Sequence, residues 1–402
     1  MLDVNAAKPY SAGESFNTLL PILKRAGLEQ VQSIYELSGG LSNHNYKVTT
    51  PTGCYVLRVN ADAADSFCTR EQERFYWQQL AQAKLAPELL WVSEDERYYL
   101  SDFIESDLIE SDLIEGDFIK SDLIESDFIE SAVASAAECA AIEHTMIDSQ
   151  CFQRKRFIHW PALERQTSAA DFMLGQVSLG ILHHGDSQQA YLNPELRLMP
   201  IQQDKHPNSV ARLLLELLLQ LRELPTGPYA ISITEQWQEY HQQMLAYQAS
   251  LALTHDWSER VAKLLNIQIN IKHWCDDLAA CLIKPQFCHR DLNPHNLLLK
   301  NNRLYCIDFE YATASHPLCE LAVVLATHAL TPAQQNELVT QYLSEHPYVT
   351  SHAVAAVPAA IDMYWVFACY WALLMAAQTE PSRSADYLAW FDCFWPLITQ
   401  AS

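Results

Sequence analysis

From Phe16 the apolar positions Leu19, Leu20, Leu23 and Leu28 recur at helical spacing, and the pattern predicts a helix over 16–34. The period then shortens. "SIYELSGGLSNHNYKVTT" and "GCYVLRVN" read as β-rich runs about a turn at Gly39–Gly40, with a third strand after a second turn at "TPTG". Helical periodicity returns in "TREQERFYWQQLAQAKL", stopped by Pro87, and "LLWVSE" and "RYYLSDFIE" follow as strands. Beyond Glu130, "SAVASAAECAAIEH" reads as helix, whereas 150–205 carries no clear period. From Ser209, "SVARLLLELLLQLREL" is a strongly apolar helix closed by Pro225. Residues 235–284 are mostly helical, and helices fill the chain after a polar-studded segment at 285–312. The class expected is α+β, a small mixed lobe in front of a large helical one. The divisions expected are 1–100, 101–130, 131–204 and 205–402.

One segment fits neither period. Ser101–Glu130 consists of six five-residue copies, "SDFIESDLIESDLIEGDFIKSDLIESDFIE". Wound as a helix, each copy turns through about 500°, so the apolar pairs smear round the surface. Laid out as a strand, the odd period flips each copy to the other face. Neither buries a stripe. The pattern also resembles pentapeptide-repeat β-helices, but six copies make fewer coils than a stacked solenoid needs. Three readings stay open: an expansion of the preceding strand, a short β-coil, and a binding module. In each, the repeat is a graft on the rest of the chain.

Composition narrows the partners. The net charge is −23, and the repeat alone holds eleven carboxylates against Lys120. An acidic body argues against nucleic acid, where phosphate contacts dominate affinity. It is compatible with a cationic substrate. Eleven cysteines, an odd number without a C-x-x-C pair, read as reduced thiols of a cytoplasmic protein. "MLDVNAAKPYSAGESF" lacks the apolar stretch of a signal peptide, and Met363–Ala377 is short for a span. A buried helix and no membrane association are expected.

The strongest chemical signal is "FCHRDLNPHNLLL" followed by "LYCIDFEYA". It reads His289-x-Asp291-x-x-x-x-Asn296, then an apolar strand, then Asp308-Phe309-Glu310. Phosphoryl transfer needs one carboxylate to accept the proton of the attacking hydroxyl, and oxygen ligands to hold Mg²⁺ on ATP phosphates. Asp291 suits the first task. Asn296 and Asp308, expected on the two strands of a hairpin, suit the second, and His289 would brace the loop. A following strand ending in Asp-Phe makes a chance hairpin a poor alternative.

These motifs, with "GGLSNHNYKV" in the small lobe, resemble the aminoglycoside phosphotransferase superfamily, and "IDFEYA" resembles its choline, ethanolamine and thiamine kinase branch. The resemblance covers about 35–100 and 205–395. It implies a bilobal protein-kinase-like fold with ATP and Mg²⁺ as cofactors and a small-molecule hydroxyl as acceptor. Gly39, Gly40, Ser42 and Asn43 would form the loop over the triphosphate. Arg58 stands where protein kinases carry lysine, and a guanidinium can bridge two phosphate oxygens. Its helix partner would be Glu73, with Glu71 as fallback. The adenine-binding hinge would follow Tyr98-Tyr99-Leu100, and the repeat looks like that hinge pentapeptide copied in tandem.

In the same resemblance, Trp371 and Tyr387 would face a quaternary ammonium, although Leu374 stands where the pattern would place a second Trp. Glu310 would add negative charge beside a cationic substrate or help at the metal. Glu320, in "HPLCELA", replaces the aspartate that ties down the catalytic loop. The function expected is an ATP-dependent kinase of an amine alcohol. Alternatives are an aminoglycoside- or sugar-directed enzyme and a nucleotide-binding pseudokinase scaffold. The oligomeric state stays open.

Overall fold

The computed structural model describes residues 14–37, 43–60, 69–107, 210–250 and 254–399. The Gly39, Gly40 and Ser42 assignments, the repeat from Leu108 onward and all of 131–204 lie outside them. The chain divides into two compact units. One contains the described residues up to 107 together with His295–Glu310; the other contains 210–294 and 311–399. The hairpin at 295–310, expected within the C-terminal lobe, groups with the N-terminal unit instead.

The first unit opens with α1 (Glu14–Arg25). Contrary to the sequence pattern, this helix does not reach residue 34. Gly27 takes a φ of 88°, and its N–H bonds the Lys24 carbonyl while Leu28 N–H bonds that of Leu23. This is a Schellman termination, which needs the left-handed conformation that glycine adopts at no steric cost. Leu28, apparently in phase with the helix, instead folds back against the cluster of Leu19, Leu23, Val48, Leu57 and Leu100.

Strands β1 (Ser33–Leu37), β2 (His44–Thr50), β3 (Gly53–Val59), β4 (Leu89–Val92) and β5 (Tyr98–Asp102) form an antiparallel sheet of order β1-β2-β3-β5-β4. Helix α2 (Arg70–Gln82) begins at Thr69, whose hydroxyl accepts from Gln72 N–H. That cap fixes the first turn, so Glu73, Trp77 and Leu80 share one buried face. The helix stops at Gln82, short of Pro87, because Lys84 turns into the left-handed region at φ 61°.

Two further strands, β7 (Leu297–Lys300) and β8 (Arg303–Cys306), form the 295–310 hairpin. Asn301 and Asn302, with φ of 49° and 57°, supply the two left-handed residues that a tight hairpin turn requires. Cys306 N–H donates to the Leu85 carbonyl at 2.7 Å. On the other strand, Leu299 O accepts from Asp107 N–H at 2.7 Å and from Ser106 Oγ at 3.2 Å. The first repeat copy thus begins in the last two residues of β5, and the Ser-Asp pair opening the second copy docks on this hairpin.

The second unit is helical: α3 (Val210–Arg222), α4 (Ile233–Ser250), α5 (His255–Asn266), α6 (Gln268–Cys281), α7 (Pro317–Thr327), α8 (Pro332–Leu343), α9 (Ala353–Gln378) and α10 (Pro381–Phe394). Its two short strands, β6 (Gln286–Cys288) and β9 (Thr313–Ser315), pair antiparallel. The sequence pattern missed β9. Helix α9 is long and apolar enough to cross a membrane by composition, yet 61% of its most apolar window is buried in the fold. It also binds Trp257, whose indole N–H donates to the Leu373 carbonyl at 2.9 Å.

Candidate functional site

In the first unit the polar centre is built on Arg58, in β3 opposite Tyr99 of β5. Its side chain is 7% exposed, so it is no surface ion pair. Nη1 lies 2.8 Å from Glu73 Oε1 and Nη2 lies 2.8 Å from Glu310 Oε1. Glu73, not Glu71, is therefore the helix partner. Arg70 donates to Glu73 Oε2 at 2.9 Å and approaches Glu310 at 3.5 Å. Burial alone would lower the Arg58 pKa; the carboxylates of Glu73, Asp308 and Glu310 outweigh it and hold the group above its ordinary value. The same setting pushes Tyr99 up to about 12, through burial first and then the charge of Glu73. Asn43, the last of the residues expected to form the loop over the triphosphate, donates its Nδ2 to Glu310 Oε1 at 2.7 Å.

The expected metal ligands flank the hairpin rather than lying on its strands. Asn296 ends the 3₁₀ turn Pro294–Asn296 before β7, and Asp308 follows β8. Ile307 N–H donates to the Asn296 carbonyl at 3.0 Å, drawing the two ends together. Asp308 has a φ of 65°, an uncommon conformation for a residue with a side chain and one concentrated at functional sites. Carboxylate oxygens of Glu73, Asp308 and Glu310 fall within 4.8 Å of one another. An amide oxygen, a carboxylate and nearby excess negative charge are the hard-oxygen surroundings that Mg²⁺ selects, so these residues fit that ion.

The second unit carries Asp291 on the loop leaving β6. Arg290 is left-handed at φ 70°, which turns its N–H toward Glu320 Oε1 in the first turn of α7. Glu320 is fully buried, and desolvation pushes its carboxyl up to about 8, against the lowering pull of the Arg290 and His289 backbone N–H groups. On the loop's far side, buried His328 donates Nε2–H to the Leu292 carbonyl at 2.8 Å. Asn293 Nδ2 donates to Asp291 Oδ1 at 2.8 Å and so orients the carboxylate. The Arg290 guanidinium is held by Gln236, and His289 is completely buried. Asp291 thus sits on a loop fixed at the residues before and after it.

Trp371 and Tyr387 meet as an edge-to-face pair with centroids 5.6 Å apart. Trp390 stacks on Trp371 at 5.6 Å and meets Tyr387 at 6.0 Å, completing a trio across α9 and α10. Leu374 is buried core. Three features escaped the sequence pattern. Trp390, three residues after Tyr387 on one helix face, carried a signal in its spacing. The His328 anchor and the Asn43–Glu310 bond carried none, because they join residues 36 and 267 positions apart.

Residues 177–353 match the model of the phosphotransferase enzyme family, a stretch that includes the His289–Asp308 motif. The protein LicA of Haemophilus influenzae is 34% identical over 58 residues, covering 14% of this chain and 22% of that relative. The match therefore spans about a fifth of the relative's length. Among solved structures, a choline/ethanolamine kinase family protein from Mesorhizobium loti shares 15% identity at a TM-score of 0.51, covering 94% of this chain and 95% of that one. The gentamicin–APH(2")-IIa complex shares 13% identity at a TM-score of 0.50, covering 95% and 96%. At such identities the structural likeness speaks for the fold: a mixed α+β kinase-like architecture. The motifs and the family match name the same phosphotransferase family.

Proposed function

We propose, from the family match that spans the His289–Asp308 motif, that this chain is an ATP-dependent kinase acting on the hydroxyl of a small amine alcohol such as choline, ethanolamine or thiamine. The observation that carries the reading is the fixed loop bearing Asp291. In this role Asp291 accepts the proton of the attacking hydroxyl, and Asn293 keeps its carboxylate turned to do so. His289 and Glu320 position the loop. Arg58, held by Glu73, serves the phosphates of ATP. Asn296 and Asp308 would hold Mg²⁺, which supplies charge neutralisation on the phosphates when bound.

The amine-alcohol preference rests on "IDFEYA" and on the Trp371–Tyr387–Trp390 trio, since aromatic faces attract a desolvated cation. The test is ADP release from MgATP against choline, ethanolamine, thiamine, an aminoglycoside and simple sugars. Stimulation by one amine alcohol supports the reading. Stimulation only by the aminoglycoside or a sugar replaces the acceptor class, and nucleotide binding without any turnover replaces the enzyme with a scaffold.

A further inference from the structure

Two side chains expected at the phosphates converge on one oxygen. Arg58 Nη2 and Asn43 Nδ2 reach Glu310 Oε1 at 2.8 and 2.7 Å, and Arg70 stands 3.5 Å from the same atom. This is a ring of three donors around an anionic oxygen. Such a ring recognises a phosphate oxygen by the same geometry and charge. Glu73, on the opposite side of the guanidinium, is buried at 1% exposure, whereas Glu310 retains 22% exposure on a short loop leaving β8. One carboxylate is thus a fixed part of the cradle, and the other has solvent to move into.

We infer that Arg58, Asn43 and Arg70 form a phosphate-oxygen subsite for which Glu310 is the built-in competitor, so that nucleotide must displace the Glu310 carboxylate to reach Arg58. The inference rests on the kinase reading for the identity of the ligand. The charges explain the competition. Arg58 and Arg70 are balanced by Glu73 and Glu310, and Asp308 adds a further negative charge that acts on Arg58. A triphosphate arriving while Glu310 stays meets a centre of net negative charge. When Glu310 withdraws, it meets a neutral one with three donors exposed. Glu310 therefore sets the affinity for the phosphates rather than touching the acceptor, which differs from the role its sequence position suggested.

The test is calorimetric titration of the full chain with ATP in EDTA, so that no divalent ion contributes, comparing wild type with Glu310→Gln. The glutamine keeps the shape and removes the competing charge. Affinity is expected to rise about tenfold, and Arg58→Gln added to this variant is expected to abolish the gain. Thermal melts establish that each variant folds, and Glu310→Ala serves in the same way if the glutamine variant does not. Binding in wild type with equal or weaker binding in a folded Glu310 variant overturns the inference while leaving the kinase reading intact. Absence of ATP binding in every folded variant, with Mg²⁺ restored as well, overturns both.

Discussion

Replacing Glu320 with glutamine isolates one buried ionisation. The wild-type carboxyl is fully buried, accepts from Arg290 N–H, and has its pKa pushed from 4.5 to about 8 by desolvation. A raised carboxyl favours the protonated form in the folded state. Its contribution to stability is therefore complete below pH 4.5 and is lost progressively as pH rises to about 8. At about 1.4 kcal/mol per unit, the whole span from 4.5 to about 8 amounts to roughly 5 kcal/mol. Glu320→Gln cannot ionise, yet it retains an oxygen for the Arg290 N–H. Urea unfolding at pH 5, 6.5 and 8 should show wild type losing up to that amount relative to the variant.

Other groups titrate nearby but cancel in the comparison. Burial raises Asp362 to about 6, and lowers His316 and His346 to about 4, with the Arg222 guanidinium adding to the effect on His346. All three are present in both proteins. Parallel pH profiles for the two would refute the reasoning, since they would mean that Glu320 keeps its ordinary titration.

Truncating Arg58 to methionine leaves Glu73 buried with Arg70 as its remaining cation, and is expected to cost about 3 kcal/mol in urea unfolding; Arg58→Met with Glu73→Leu should recover much of it. Removing Ser111–Glu130 keeps Ser106 and Asp107, the residues that dock on Leu299, so the melting temperature and any kinase activity should stay near wild type. A large loss of stability there would identify the remaining copies as structural.

Much of the first unit was legible because its signals are local. Strand alternation and the turn at Gly53 located the sheet and helical periodicity located α2, whereas Glu73 was named through the family resemblance, with Glu71 as its fallback. Helix α1 was overrun because Leu28 sits at helical spacing, although Gly27 carried the stop signal that the structure obeys. The Asp291 loop was legible as a motif, and the family resemblance pointed to Glu320 as its brace. Its second anchor, His328, was not, since a buried histidine on a carbonyl leaves no spacing pattern. Glu310 was read as a group for the acceptor or metal because sequence cannot reveal that Asn43 and Arg58 both aim at it.

The most direct test of the central claim compares wild type with Asp291→Ala in ADP release from MgATP in the presence of the preferred acceptor, with ATP binding measured alongside. The account predicts near-normal ATP binding and a loss of several orders of magnitude in turnover, because the variant removes the base and leaves Arg58, Asn296 and Asp308 in place. Full activity in Asp291→Ala would contradict it.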